Sequence, residues 1–185
     1  MFEKPNGSSP KEAAGLAHID GLFSYAVVLT RNRSDAEDLV QETYVRAIGA
    51  MGRLRENSNV KSWLFTILRN IWLNQLRQRR MSPTMSDLAA EEGATDAFVK
   101  GDDPHSLFVR GVEREQVRHA IRQLPVDFRE VILLREFEEL SYEEIAAVLD
   151  CPAGTVMSRL ARARSKLRTL LSATLSNSAS KIKEK

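Results

Sequence analysis

The sequence predicts an all-α chain: two small helical domains joined by a flexible acidic linker, the C-terminal one containing a helix-turn-helix. Three observations predict it. Apolar residues recur at helical spacing through most of the 185 residues, and no run alternates apolar and polar as a half-buried strand would. Residues 81–106 break that period with Ser, Thr, Gly, Asp, Glu and Pro, the composition of a solvated tether. Residues 140–168, LSYEEIAAVLDCPAGTVMSRLARARSKLR, read as two helices across a tight turn, the second loaded with Arg.

The elements follow in order. Residues 1–14 are polar, expected to be disordered, and lack the apolar core of a secretory signal. The first domain spans residues 15–80. Residues 16–30 have helical apolar spacing and end in Arg31-Asn32-Arg33. Ser34 with Glu37 has the spacing of a capping box and starts the next helix. There Ala36, Leu39, Val40, Thr43, Tyr44 and Ala47 form one buried face, and Asp38, Gln41, Glu42 and Val45 fall opposite. Residues 49–59 break the pattern as a loop, and a third helix runs over residues 60–79.

The second domain spans residues 107–175. A helix over residues 108–123 stops at Leu124-Pro125. Residues 127–137 form the next, with Val131, Leu134 and Phe137 available to the core. Ser141 and Glu144 make a second capping box, and Ile145, Val148 and Leu149 supply that helix's apolar side. Pro152 suits the first turn of the last helix, where a missing N–H costs nothing. Residues 176–185 are a polar tail.

A hydrophobic content of 43% supports packed cores. The 27 basic and 25 acidic residues nearly cancel, so the total charge is silent about nucleic acid. The distribution is not. Arg159, Arg162, Arg164, Lys166 and Arg168 crowd the last helix with no acid among them, and residues 69–80 hold Arg69, Arg77, Arg79 and Arg80, again with no acid. Acids gather instead in the linker, at Asp87, Glu91, Glu92, Asp96, Asp102 and Asp103. Charge segregated in this way points to separate surfaces for separate partners. Cys151 is the single cysteine, so no intrachain disulfide forms, and a reducing cytoplasm is the simplest setting. It reads as a small residue at the turn, because His18, His105 and His119 are scattered without metal-ligand spacing. No apolar run reaches the ~18 residues of a membrane span, so no direct membrane insertion is expected. No cofactor or metal is expected either.

The last helix has the pattern of a major-groove reader. At ~100° per residue, Val156, Leu160, Ala163 and Leu167 cluster inward. Ser158, Ala161, Arg162 and Ser165 face away, with Thr155 and Arg159 on the flank. Small residues let the backbone approach the groove floor, and Arg forks onto guanine O6 and N7. Ser158 and Arg162 are the leading base readers, with Thr155 next. Arg159, Arg164, Lys166 and Arg168 fit phosphates, which position without specifying. A basic amphipathic helix also arises as a merely solvated face. The capped helix before this one, the short turn and the absence of acid argue against that.

On the third helix, Leu64, Leu68 and Ile71 form the core stripe. Trp63, Asn70, Asn74 and Arg77 lie within about 60° of one another. An aromatic to stack, amides to bond base edges and Arg for the backbone make a surface for unstacked bases. The preceding loop (Arg53, Arg55, Asn57, Ser58, Asn59, Lys61) is placed to wrap an extruded base. Composition alone leaves a second reading open, with Trp63 and Trp72 in the core and the amides simply solvated.

Four motifs, in order, resemble the extracytoplasmic-function sigma factors of bacterial RNA polymerase: DAEDLVQETYVRAI (35–48), VKSWLFTILRNIWLNQLRQRR (60–80), LPVDFREVILLREFEELSYEEIAAVL (124–149) and CPAGTVMSRLARARSKLR (151–168). The resemblance covers about residues 16–171. It implies an alternative sigma factor that binds core polymerase through the β and β′ subunits and directs it to promoter DNA. Residues 15–80 would be sigma region 2 and residues 107–175 region 4. Asp38, Gln41, Glu42 and Val45 would then dock on the coiled coil of β′, although a solvated acidic face explains the same residues. Asn70 and the loop before the third helix would capture a flipped base of the −10 element, with Asn74 and Arg77 along the same strand. The last helix would read the −35 element and the second domain's apolar surface would sit on the β flap. The acidic linker would thread toward the active-site and RNA-exit channels. An anti-sigma factor is the family's usual restraining partner.

Two other classes remain as alternatives. A stand-alone helix-turn-helix regulator would bind a two-fold duplex site without polymerase. A nuclease would need convergent carboxylates for metal, and the acids here lie in a linker and on helix faces. The chain is therefore not expected to be an enzyme.

Overall fold

The computed structural model describes residues 17–54, 58–81 and 107–183. The N-terminal stretch 1–14 and linker residues 82–106 lie outside the described residues. Among those described, every regular element is helical. They fall into two compact units, one holding the first three helices, the other the rest except the last turn of the sixth.

In the first unit, α1 (Ile19–Thr30) and α3 (Val60–Met81) pack on α2 (Arg33–Ala50). Leu22, Tyr25 and Ala26 of α1, Ala36, Leu39 and Ala47 of α2, and Leu64, Phe65, Leu68 and Ile71 of α3 are buried. Each large side chain among them stabilises the unit by about 1.5–3 kcal/mol. Tyr25 and Phe65 meet edge to face, with centroids 5.4 Å apart. Tyr44, placed by its spacing on the buried face, is only half-buried. That burial, with Asp20 nearby, still raises its phenol pKa.

The joint between α1 and α2 corrects one expectation. Arg31 closes α1 in the left-handed region (φ 57), returning its N–H to the Val27 carbonyl at 2.9 Å. The next residue, Asn32, is extended and caps α2, its Oδ1 accepting the Asp35 N–H at 3.1 Å. Ser34 therefore sits inside the first turn and is not the cap. Glu37 pairs instead with Arg33, 2.9 Å away. Asn is as strong an N-cap as Ser, and it comes first.

In the second unit, α4 (Leu107–Arg122) ends before Leu124-Pro125. The Pro125 carbonyl accepts the first N–H groups of α5 (Val126–Ile132), from Phe128 and Arg129 at 3.0 Å each. A π turn over Leu133–Phe137 extends α5, and Glu138 donates to the Leu133 carbonyl at 3.0 Å. This wider turn rotates later side chains off the core line. Val131 and Leu134 are buried as expected, but Phe137 is 49% exposed. Two charged residues of α5, Arg129 and Glu130, are buried although no apolar pattern marks them.

α6 (Tyr142–Leu149) starts on the expected capping box: Ser141 N–H donates to Glu144 at 2.7 Å, and Glu144 N–H to Ser141 Oγ at 3.2 Å. Arg135 lies over the Tyr142 ring at 5.1 Å and donates to the Leu140 carbonyl at 2.8 Å, tying the π turn to α6. α7 (Ala153–Lys183) packs on α4 and α5. Pro152 precedes α7 instead of lying in its first turn, and its carbonyl accepts the Thr155 and Val156 N–H groups at 2.9 and 3.3 Å. The helix also continues through most of the stretch expected as a polar tail.

Candidate nucleic-acid interface

The turn between α6 and α7 sets where α7 begins. Asp150 is left-handed (φ 49), and Cys151 N–H returns to the Ala146 carbonyl at 3.1 Å, closing a Schellman-type end. Cys151 is half-buried in this turn. α7 then presents two opposite sides. Val156, Leu160 and Ala163 are buried, and Leu167 is half-buried. Ser158, Ala161, Arg162 and Ser165 are exposed, with Thr155 and Arg159 half-buried between the sides. Ser158 Oγ donates to the Thr155 carbonyl at 3.0 Å.

The basic residues of α7 divide into two groups. Arg159 is 3.4 Å from Asp127 of α5. Arg164 places Nε at 3.0 Å and Nη2 at 2.7 Å from one oxygen of Glu136. That hydrogen bond raises the guanidinium pKa further. Among the described residues, Arg162 and Lys166 have no ion-pair partner. Both are exposed.

On α3 the structure brings Asn70, Asn74 and Arg77 onto one exposed edge, with Trp63 half-buried in line. Arg77 Nη1 donates to Asn74 Oδ1 at 3.1 Å. Trp72 is half-buried too, so neither tryptophan is fully enclosed. Asn59 caps α3, its Oδ1 accepting the Ser62 N–H at 3.3 Å. Ser58 and Lys61 are half-buried at the helix start, and Arg53 is exposed in the short 3-10 turn Met51–Arg53. Arg55 and Asn57 lie outside the described residues.

On α2, Asp38 and Gln41 are exposed and Val45 is 71% exposed. Glu42 departs from this face. It is half-buried, bonded to Gln75 of α3 at 3.2 Å and to Arg46. Ile48, which sequence reasoning missed, is 61% exposed and continues the stripe three residues beyond Val45. Its signal was an apolar residue at helical spacing on the polar face.

A second apolar surface was also missed in detail. Val117, Ile132, Phe137, Leu167 and Leu171 line a groove of about 470 Å³ in the second unit, walled by Glu136 and Arg164. The exposed Phe137 belongs to it, so the π turn builds the groove. Among the described residues no three His, Cys, Asp or Glu side chains gather as a metal site, and no helix is long and apolar enough to cross a membrane.

Comparison with known proteins matches both units. The description "Sigma-70 region 2" fits residues 16–81, and "Sigma-70, region 4" fits residues 114–167. The chain is 38% identical over 156 residues to the ECF RNA polymerase sigma factor EcfG of Rhodopseudomonas palustris, covering 84% of this chain and 82% of that one. It is 37% identical over 150 residues to the RNA polymerase sigma-H factor of Pseudomonas aeruginosa, covering 77% and 76%. Among solved structures, it resembles the sigma factor RpoE in complex with the anti-sigma factor NepR from Bartonella quintana. The TM-score there is 0.67, with 33% identity over 86% of this chain and 95% of that one. With both sigma-70 regions in order on two helical units, the chain belongs to the extracytoplasmic-function sigma factors, the alternative sigma factors that direct RNA polymerase to promoters.

Proposed function

We propose that the two units divide promoter recognition between duplex and single-stranded DNA. The carrying observation is that α7 and α3 each bury an apolar side and leave a nucleic-acid-type side exposed. On α7, Thr155, Ser158 and Arg162 read the −35 duplex, and Lys166 grips phosphate. On α3, Asn70 captures a base extruded from the −10 element, Trp63 offers a stacking edge, and Asn74 and Arg77 follow the same strand. Arg53, Arg55, Asn57, Ser58, Asn59 and Lys61 wrap that base. The Asn59 side chain contributes indirectly, by fixing where α3 begins.

The stripe Asp38, Gln41, Val45 and Ile48 docks on the β′ subunit, with Glu42 bracing α2 against α3 beneath it. The groove around Phe137 receives the β flap. Residues 81–106 then serve as the tether between the two domains. The protein catalyses no bond chemistry. Major-groove contacts position the complex, and base capture offsets a few kcal/mol of unstacking cost. It acts in the cytoplasm beside the polymerase. An anti-sigma factor restrains it, as the complex of the Bartonella relative suggests.

Run-off transcription with purified bacterial core polymerase on a promoter library tests this reading. Initiation that depends on the protein and selects both elements is expected. If core polymerase gains no initiation while the protein alone binds a palindromic duplex, the stand-alone regulator replaces it.

A further inference from the structure

The basic residues of α7 occupy different sides of the helix. Arg164 follows Arg162 by two positions, which puts them about 160° apart. Arg162 is on the exposed side with Ser158, whereas Arg164 is on the side of the groove lined by Leu167 and Leu171. Part of its guanidinium is already engaged within the unit. Nε and Nη2 converge on one Glu136 oxygen, at 3.0 and 2.7 Å. Glu136 stands on the π turn, so Arg164 ties α7 to that turn. The π turn is itself tied to α6, through Arg135 over the Tyr142 ring. At the other end of α5, Arg159 meets Asp127 at 3.4 Å. The reading helix is thus tied to α5 at both ends by arginines that the sequence groups with the phosphate contacts.

We propose that Arg164 is a positioning residue for promoter discrimination: through Glu136 it fixes the rotation of α7 that presents Ser158 and Arg162 to the major groove, and it grips no phosphate. This rests on the reading of α7 as the −35 helix. The pair is exposed, and such pairs add little to stability. Base contacts are directional, however, so a small rotation of α7 registers in discrimination before it registers in folding. Arg suits the role better than Lys, because a planar fork holds one orientation and an ammonium is a point charge.

The test uses the full chain with core polymerase. A promoter with its selected −35 element competes against one with that element scrambled, over a series of salt concentrations. Arg164→Lys and Glu136→Gln are each expected to lower the preference by up to about fivefold. Under Arg164→Ala, the slope of log affinity against log salt is expected to move by much less than the ~0.9 that one lost phosphate contact gives. The exchange Glu136→Arg with Arg164→Glu is expected to restore the preference, which a merely misfolded unit would not do. A preserved preference in Arg164→Lys, a slope change near ~0.9 in Arg164→Ala, or an exchange that fails to restore would each overturn the proposal. If Ser158→Ala and Arg162→Ala also leave the preference unchanged, the assignment of α7 as reader falls with it. If those two move it and the Arg164 and Glu136 variants do not, only the positioning role falls.

Discussion

Arg77 Nη1 lies 3.1 Å from Asn74 Oδ1, so guanidinium and amide share one exposed edge of α3. The bond takes up one of the two lone pairs of the Asn74 oxygen. Asn70, one turn earlier on the same edge, has no such partner among the described residues and keeps donor and acceptor available to a base. The two amides are therefore unequal, and Asn70 is the one whose oxygen and NH₂ are both wholly uncommitted among the described residues.

Asn70→Ala is accordingly expected to leave −35 duplex binding unchanged and to reduce promoter opening. A lost hydrogen bond of about 0.5–1.5 kcal/mol corresponds to a roughly 2–10-fold drop in open complex. Reactivity of unpaired bases at the −10 element measures it. Unchanged opening would remove Asn70 from the capture site.

On the proposed reading of α7, in which the exposed Arg162 fork meets a base edge, Arg162→Ala is expected to weaken −35 binding by about 1–3 kcal/mol and to relax selection at one base pair. Lys166→Ala is expected instead to weaken every sequence alike and to lower the salt slope by ~1. Binding titrations on a panel of single base-pair changes separate the two. Equal losses across that panel for Arg162→Ala would make it a phosphate contact.

The all-helical class, the core faces and the second capping box were legible in the sequence because they rest on local period and on one side chain reaching three residues. Val156, Leu160 and Ala163 are buried where a ~100° step puts them. What was not legible depends on tertiary context or backbone alternatives. The π turn after Ile132 follows from no single residue, yet it carries Phe137 out of the core and into the groove wall. The engagement of Arg159 and Arg164 needs Asp127 and Glu136 brought across from α5, 32 and 28 residues away in sequence. Glu42 looked free for the same reason, since its partner Gln75 is 33 residues away.

The joint before α2 gives a stability test of such local ambiguity. Asn32 and Ser34 both have cap-type side chains, and only Asn32 is extended with its oxygen on an orphan N–H. Asn32→Ala is expected to cost about 0.5–2 kcal/mol. Ser34→Ala, exposed and inside the first turn, is expected to stay within about 0.5 kcal/mol of the parent. Denaturant unfolding of the full chain compares them, and a larger loss at Ser34 would put the cap two residues later.

On α2 the opposite separation is expected, with binding affected and folding spared. Val45 and Ile48 leave more than half of their surface to solvent, while Leu39, Val40 and Ala47 on the other side are buried. Two exposed aliphatic side chains in line with Asp38 and Gln41 form an apolar strip with a polar rim, the anatomy of a contact surface. Val45→Asp and Ile48→Asp are expected to change unfolding free energy by no more than about 0.5 kcal/mol, since neither removes core volume. A charge forced into a packed, dry contact without a partner costs several kcal/mol, so the affinity for core polymerase is expected to fall at least ~100-fold in each. Co-purification with core polymerase and a fluorescence titration read the affinity, and thermal unfolding of the same samples reads the fold. Core binding that survives both substitutions would move the polymerase surface away from this stripe, leaving Val45 and Ile48 as solvated residues.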